Sequence, residues 1–275
     1  MLAQSQDDQR WTPVDASQLP QTLEASVELF LRYGVSFLPL GNTCSVKDLI
    51  RPLDQGFEQF LQQAGTDDPR FAVSYEPGGE IDTGLIIRRG EAARDGDYDH
   101  KDYFHFRMQL TRHPDFAPYS SWTGNLATVM GRLRQRVSQW LAILDQAVPG
   151  YDLHSKICTD QTIEDEVIRQ IHYRRTRPGT QIIARRHRGR AGVVLALWEN
   201  YPGLVGEIGG VWKPFASYPD YPLIFAGQRL VQLTQQRIEA FLHEVVHVEG
   251  AEKVQRRAIV AFFDPHNMSV TLPTH

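Results

Sequence analysis

The second half of the chain is a close succession of short apolar runs, rich in β-branched residues, that turn residues interrupt. Glycine and proline separate these runs at short intervals, which is typical of an antiparallel sandwich or barrel. The predicted strands are Val167–Arg174, Thr180–Arg188, Gly192–Trp198, Trp212–Phe215, Leu223–Phe225 and Ala258–Phe263. This pattern favours a β-rich core in the C-terminal half.

The first half carries helical periodicity instead. Its longest periodic segment, Asn125–Gln146, repeats apolar residues every three or four positions and ends before Pro149 and Gly150. The other predicted elements are a helix at Glu24–Tyr33 that Gly34 ends, a strand at Val35–Leu40 and a helix at Val46–Gln63. We predict a single domain over residues 1–275, with a mainly helical part at 1–150 and the β core at 151–275.

Composition narrows the class of protein. Apolar residues make up 41% of the 275 residues and charged residues 23%, which excludes a disordered or fibrous chain. No apolar run approaches the ~20 residues of a membrane helix, and Met1–Arg10 lacks the pattern of a signal peptide. A net charge of −4 argues against a nucleic-acid polymer as partner. We therefore expect a soluble, cytoplasmic protein without a membrane partner.

A zinc motif is one interpretation of the histidines. Residues His243–His247 read His-Glu-Val-Val-His, and on a helix the two histidines would share a face and bind zinc, with Glu244 as general base. The flanking valines favour a strand, in which residues four apart lie roughly 13 Å from each other. Lys253 also stands where the longer motif needs a third histidine.

A non-haem iron site is the other interpretation. Such a site needs two imidazoles, usually joined by one carboxylate, on one face of the metal. Alternation along Thr180–Arg190 places Arg185, His187 and Gly189 on one face of a strand. His187 and a distant His243 would then be the imidazoles, and Gly189 stands where the carboxylate is expected.

The C-terminal half of the chain resembles the isopenicillin-N-synthase-like branch of the iron(II)/2-oxoglutarate oxygenases. Five segments match in order, and Asp99–Phe106 resembles the family's N-terminal segment more loosely. The five are Ile171-His172-Tyr173, His187-Arg188-Gly189, Gly209-Gly210-Val211-Trp212, Phe225 to Val246 and Arg256 to Pro265.

The resemblance implies a β-rich α+β protein with a double-stranded β-helix (jelly-roll, cupin-like) core and flanking N-terminal helices. It implies iron(II) held by His187 and His243, 2-oxoglutarate held by Arg256 and Tyr173, and O2 as the oxidant. The usual Arg-x-Ser of the cosubstrate site is Arg256-Arg257-Ala258 here, so a serine hydroxyl is missing, which Tyr173 can partly replace.

Gly189 is the second departure from the family. The resemblance implies a halogenase, because replacement of the aspartate by glycine or alanine marks the branch in which chloride binds iron in the carboxylate's place. It implies a chloro-ferryl radical mechanism that chlorinates an unactivated sp3 carbon, as in natural-product biosynthesis. Two alternatives stay open: an oxygenase (hydroxylase or desaturase) with an atypical two-histidine site, and a non-catalytic member of the fold.

An arginine-rich stretch bears on the substrate. Its members are Arg169, Arg174, Arg175, Arg177, Arg185, Arg186, Arg188 and Arg190, and no acid lies among them. Arg185 shares a predicted face with His187 and would favour a carboxylate or phosphate on the substrate, and His172 is a possible pocket contact because it adjoins Tyr173. We expect a small anionic substrate such as a nucleotide. A substrate tethered to a carrier protein is the competing interpretation.

Overall fold

The computed structural model describes residues 19–64, 68–74, 81–92, 98–160, 162–173, 182–247 and 255–265. Predictions that fall on residues 1–18, 174–181 and 248–254, among them Arg174, Arg175, Arg177 and Lys253, lie outside the described residues.

The helices belong mainly to the first half of the chain. Their bounds are α1 (Leu23–Tyr33), α2 (Gly41–Cys44), α3 (Lys47–Ala64), α4 (Ser120–Ala147), α5 (Leu153–Ile157) and α6 (Gln228–Leu233), with 3-10 turns at Pro69–Phe71, Met108–Arg112 and Pro114–Tyr119. Helix α1 begins where the Thr22 side chain accepts a hydrogen bond from the Ala25 amide, and it ends at Gly34, whose φ of 69° is left-handed. None of the described helices is long and apolar enough to cross a bilayer.

Twelve strands are described. They are β1 (Val35–Phe37), β2 (Ala72–Ser74), β3 (Ile81–Ala92), β4 (Tyr98–Phe106), β5 (Val167–Tyr173), β6 (Ile182–Arg188), β7 (Val193–Glu199), β8 (Leu204–Ile208), β9 (Val211–Pro214), β10 (Leu223–Ala226), β11 (Leu242–Val246) and β12 (Arg256–Phe263). The larger sheet has the order β1-β10-β7-β12-β5-β4-β3-β2, and the smaller has the order β6-β11-β8-β9. All pairs are antiparallel, which confirms the predicted double-stranded β-helix.

The helices cover the outer face of the larger sheet. The apolar stripe of α4 is fully buried there, and it packs in one cluster with outward side chains of the strands such as Phe104, Ile168 and Leu195. Trp122 of α4 donates from its Nε1 to the Gln170 side chain of β5 at 2.9 Å, which fixes the helix to the sheet. The inner face of the same sheet is therefore left to face the smaller sheet.

Side chains between the two sheets form a separate cluster. It joins Ile86, Tyr103, Ile171, Tyr173 and Ala258 of the larger sheet to Ile183, Ala184 and Val245 of the smaller one. Alternation along each strand then assigns its remaining residues to the inner or the outer face.

Most predicted elements are present, within a few residues of their predicted bounds. Helix α4 begins five residues before its predicted start, and the predicted strand at Val35–Leu40 is shorter, at β1. The sequence analysis missed β2, β3, β4 and β8. The sequence of β4, Tyr-Asp-His-Lys-Asp-Tyr-Phe-His-Phe, places charged residues where a strand pattern needs apolar ones. The described part of residues 1–150 thus contains four strands besides its helices.

Candidate functional site

Two histidines face each other across neighbouring strands. His187 of β6 and His243 of β11 are direct partners in the antiparallel register, and their ring centroids lie 4.3 Å apart with the planes inclined by 54°. His243 is buried, with 7% of its surface exposed, whereas His187 is exposed at the end of its strand. The pair therefore lies at a mouth of the space between the sheets.

Each ring is oriented by a backbone carbonyl. The Nδ1 atom of His187 lies 2.7 Å from the Arg185 oxygen, and the Nδ1 atom of His243 lies 3.2 Å from the Phe241 oxygen. When each Nδ1–H donates to its carbonyl, the lone pair of the neutral ring is on Nε2. Metal-binding histidines are commonly oriented in this way, with the second ring nitrogen bonded to a carbonyl.

The surroundings keep His243 neutral. Burial, helped by the neighbouring His187, lowers the pKa of His243 to about 3, although the hydrogen bond to the Phe241 carbonyl raises this pKa in part. Aromatic rings enclose it, since the Phe225 centroid lies 5.0 Å and the Phe241 centroid 5.7 Å from the His243 centroid. A neutral imidazole is the form that binds a metal ion.

Gly189 lies one residue beyond β6 and two residues after His187. Its backbone is held because its carbonyl accepts a hydrogen bond from the Gln228 amide at 2.8 Å. Its φ lies outside the left-handed region, and a Cβ atom there would meet only the Val194 Cγ2 atom, at 3.8 Å. Neither backbone conformation nor packing therefore requires glycine at this position.

No described group of three or more histidine, cysteine, aspartate or glutamate residues is arranged to hold a metal ion. The zinc interpretation is wrong, because His243 and Glu244 lie in strand β11 rather than on a helix. The Glu244 carboxylate points to the other face, where it accepts a hydrogen bond from Arg186 Nε at 3.1 Å. The guanidinium carbon of Arg186 also lies over the Trp212 ring, 4.4 Å from the ring centroid.

The two predicted cosubstrate residues lie together on the inner face of the larger sheet. Arg256 of β12 is the register partner of Tyr173 of β5, and its guanidinium carbon lies 5.0 Å from the Tyr173 ring centroid. Its Nη2 atom donates to the Glu199 carboxylate at 2.5 Å. The Nε and Nη1 atoms of Arg256 are buried without a hydrogen-bond partner in the described part of the chain, as is Oε1 of Glu199.

Burial dominates the electrostatics of this ion pair. It raises the pKa of the Glu199 carboxyl, which the Arg256 guanidinium and the amides of Gly203 and Leu204 lower in turn. A buried guanidinium with unpaired nitrogens can donate hydrogen bonds to a further carboxylate, because leaving the donors of a buried charged group unpaired is costly.

Lys101 and His105, two inner-face residues of the larger sheet, were missed as site residues by the sequence analysis, which named Arg169 only as a member of the arginine-rich stretch. Lys101 of β4 is buried and is the register partner of Tyr173. Arg169 of β5 lies over the rings of Tyr103, at 4.5 Å, and Phe262, at 4.9 Å. Its Nε atom donates to His105 Nε2 at 2.7 Å. Only the pairing of β4 with β5 reveals Lys101 as the neighbour of Tyr173 and His105 as the neighbour of Arg169, because contacts across strands depend on register.

Two predicted substrate contacts are placed differently. His172 lies on the outer face of β5, opposite to Tyr173, and its Nε2 atom contacts the Gln255 side chain at 2.9 Å, so this position does not support a pocket contact. Arg185 is half-buried, but a β-bulge pairs Ala184 rather than Arg185 with Val245. The β-bulge therefore breaks the alternation that assigned Arg185 to the face of His187. Contact of Arg185 with the substrate stays a prediction.

Comparison with known proteins places the fold. No protein-family model matches the chain, and no curated protein matches it. Solved structures do match. A protein from Shewanella oneidensis described as an oxygenase has a TM-score of 0.70 and 18% identity, over 97% of this chain and 94% of its own.

Two further structures agree. A Caulobacter crescentus protein described as belonging to the 2OG-Fe(II) oxygenase family has a TM-score of 0.65 and 20% identity, over 92% of this chain and 86% of its own. A full-length Neurospora crassa protein, solved in complex with alpha-KG and thymine, has a TM-score of 0.67 and 16% identity, over 90% of this chain and 81% of its own. At these identities the likeness establishes the fold: this chain shares the double-stranded β-helix of these proteins over nearly its whole length.

Proposed function

We propose that this chain is an iron(II)/2-oxoglutarate-dependent halogenase that chlorinates an unactivated sp3 carbon of a small, anionic metabolite. The observation that carries the proposal is the pairing of His187 with His243 beside Gly189, where the structure has no steric need for glycine. The names of the fold neighbours support the broader class, since they describe 2OG-Fe(II) oxygenases and a complex with alpha-KG.

The residues present fit a metal with two protein ligands. Both rings are oriented through Nδ1, so both Nε2 atoms are suited to bind iron, and His243 is neutral. The absence of a third ligand among the described residues agrees with an iron that takes its remaining ligands from small molecules. If bound, iron with 2-oxoglutarate and O2 would supply the oxidising power to replace a C–H bond by a C–Cl bond. Chloride would provide the chlorine, 2-oxoglutarate would become succinate and carbon dioxide, and of the two oxygen atoms of O2 one would enter succinate and the other would leave as water with the hydrogen taken from the substrate carbon and a proton.

Gly189 would leave room for the halide. A Cβ atom at this position would meet only the Val194 Cγ2 atom, at 3.8 Å, so glycine leaves a volume here that chloride could occupy. Val194 pairs in register with Phe225, whose ring lies against His243. This apolar wall would exclude water from the halide and from the substrate carbon, which strengthens electrostatic interactions there.

Arg256 and Tyr173 fit the distal carboxylate of 2-oxoglutarate. The two unpaired nitrogens of Arg256 provide buried donors, and the Tyr173 ring fixes the guanidinium. Binding of a carboxylate would satisfy donors that otherwise stay unsatisfied, so cosubstrate binding should also stabilise the fold.

Arg169 supports an anionic substrate. The Arg169 guanidinium lies over the Phe262 ring, and Phe262 is the register partner of Val194. Val194 is in turn the residue that a Cβ atom on Gly189 would contact. A guanidinium fixed by two rings and His105 would bind a phosphate or carboxylate at this mouth. A nucleotide is the substrate class we expect. Weak turnover of a phosphate-free analogue would support a nucleotide substrate. Strict dependence on an acylated carrier protein would exclude a free nucleotide. A cytoplasmic location also stays a prediction.

Anaerobic absorption spectroscopy tests the proposal. The protein is titrated with iron(II) and 2-oxoglutarate, and then with chloride. We expect a metal-to-ligand charge-transfer band that shifts with chloride. A band indifferent to chloride would instead support an oxygenase with a two-histidine site, and no band would leave a non-catalytic member of the fold.

A further inference from the structure

The turn after β6 is held through its backbone. It spans Gly189–Gly192 and joins β6, which carries His187, to β7. Its carbonyl groups accept hydrogen bonds from the amides of Gly227–Arg229, at the junction of β10 and α6. The distances are 3.0 Å from the Gly227 amide to the Gly192 oxygen, 2.8 Å from Gln228 to Gly189, and 3.3 Å from Arg229 to both Arg190 and Ala191. These hydrogen bonds involve no side chain of the turn, so they are compatible with glycine at position 189.

Two glycines bring these segments into close contact. A Cβ atom on Gly227 would lie 2.0 Å from the Ala191 oxygen, and a Cβ atom on Gly192 would lie 2.8 Å from the Phe263 oxygen. Any larger residue at either position would therefore push the backbones apart. The turn is thus packed against both the β10–α6 junction and the end of β12.

Asp264, the residue after β12, joins the turn to the β10–α6 junction. Its Oδ1 atom accepts a hydrogen bond from the Gly192 amide at 2.7 Å, and its Oδ2 atom lies 2.8 Å from Arg229 Nη1. Hydrogen bonds to a charged carboxylate are stronger than those between neutral groups. With 17% and 27% of their side chains exposed, Asp264 and Arg229 are also screened less than a surface pair. One carboxylate therefore ties the turn and the junction to the end of β12.

We propose that Asp264 is a positioning residue for the halide, because together with Arg229 it holds the Gly189–Gly192 turn in place. This inference rests on the proposed function, in which chloride binds at position 189, and it deepens that function. A halide that takes the place of a side chain has no covalent link to the protein, so its site depends on surrounding backbone that is fixed beforehand. Asp264 supplies this order through the turn, which begins at Gly189.

Limited proteolysis of the metal-free protein tests the hold of Asp264 on the turn. Arg190 is exposed within the turn, so trypsin can cut after it once the turn opens. Asp264→Ala removes both bonds of the carboxylate and should raise the rate of cleavage after Arg190 about 10-fold, because cleavage follows the population of the open form. Mass spectrometry of the fragments identifies the site of cleavage.

Chloride titration tests the consequence for the halide. In the anaerobic complex with iron(II) and 2-oxoglutarate, Asp264→Ala should weaken chloride binding about 10-fold, as expected when an outer partner of a metal site is removed. The Kd of 2-oxoglutarate, measured by calorimetry with Mn(II), should not change. Asp264→Asn keeps an acceptor for the Gly192 amide but loses the ion pair, so this variant should recover part of the chloride affinity.

Asp145→Ala is the matched control. The half-buried Asp145 carboxylate also accepts two backbone hydrogen bonds, from the Leu153 and His154 amides at 2.6 and 2.8 Å, but it does so at the start of α5. This variant should lose thermal stability much as Asp264→Ala does, and it should keep the parent's chloride affinity and rate of cleavage after Arg190. Chloride binding as weak in Asp145→Ala as in Asp264→Ala would overturn the inference, because a general loss of stability would then explain both.

The outcomes distinguish this inference from the proposed function. If the parent protein shows no chloride-dependent shift, the proposed function fails, and the role of Asp264 toward the halide fails with it. If the parent shows the shift and folded Asp264→Ala binds chloride equally well, only the role of Asp264 is wrong. Should Asp264→Ala not fold, Arg229→Met keeps the bond from Gly192 to Asp264 and carries the same test. Faster cleavage with weaker chloride binding in Arg229→Met supports the inference, and parent values for both overturn it.

Discussion

His187 and His243 are register partners on neighbouring antiparallel strands, and this single pairing places their ring centroids 4.3 Å apart. Each ring is oriented by the carbonyl of the residue two positions earlier, Arg185 in one case and Phe241 in the other. The site therefore depends on β6 and β11 together, and loss of either imidazole should abolish the proposed binding of iron.

We expect His187→Ala and His243→Ala each to weaken iron(II) binding by at least about 100-fold, because even loss of a residue that only orients a ligand costs up to that factor. Metal content after dialysis and anaerobic titration measure this. His172→Ala is the matched control, because His172 lies on the outer face of β5. Unchanged iron affinity in either site variant would show that the metal, if any, binds elsewhere.

Gly189→Asp should fold normally, retain iron and lose chlorination. A Cβ atom at this position makes only an ordinary contact with Val194, so the free energy of unfolding should change by less than about 1 kcal/mol. The new carboxylate would occupy the halide position, and some hydroxylation can replace chlorination. Product mass spectrometry and thermal unfolding measure both effects.

Gly189→Ala is the control for this change, since a methyl group supplies no ligand, and it should keep the chloride-dependent shift of the absorption band. Gly227→Ala offers a contrast in stability, because a Cβ atom there would approach the Ala191 oxygen to 2.0 Å. If Gly189→Asp chlorinates as well as the parent, the halide does not bind beside Gly189.

Glu166 should make the stability of the fold depend on pH. Burial raises the pKa of this carboxyl from 4.5 to about 7, although the Arg134 guanidinium bonded to it lowers the pKa in turn. Between these pH values the folded state keeps a proton that the unfolded state releases. The free energy of unfolding should therefore fall by about 2–3 kcal/mol as pH rises from 4.5 to 7.

Denaturant unfolding at intervals from pH 4.5 to pH 8 measures this dependence. Glu166→Gln cannot titrate, so the difference between the parent and this variant isolates the contribution of Glu166 from that of other groups. Parallel stability profiles for the two proteins would mean that Glu166 is ionised throughout, held by Arg134.

Cys158 should be inert in the folded protein. Burial, with a smaller contribution from Glu166, raises the pKa of its thiol to about 12, so little thiolate exists at pH 8. Reaction with a disulfide reagent should be on the order of a thousandfold slower than for a free thiol. The variant Cys44→Ser leaves Cys158 as the single thiol of the chain. Fast labelling of that variant before denaturant is added would contradict the prediction.

The sequence by itself determined the fold class and the main elements. The regular apolar spacing of α4 and the short apolar runs of β5 and β12 are local patterns. Because each element buries one face, its type can be predicted from this spacing without knowing which element packs against it. The Gly34 end of α1 was predictable for the same reason, because a left-handed residue after a helix favours glycine. His187, Gly189 and His243 were candidates because their order along the chain matched a known arrangement.

Only the tertiary structure decided which side chains meet. The register of β6 with β11 brings His187 to His243, and the bulge in the same pair breaks the alternation that assigned Arg185. Strand β4 was not recognised, so Lys101 had no predicted neighbour until its pairing with β5 placed it beside Tyr173. The physical reason is that the period of a strand indicates which residues share a face, whereas contacts across strands depend on register between segments far apart in sequence, which local spacing does not encode.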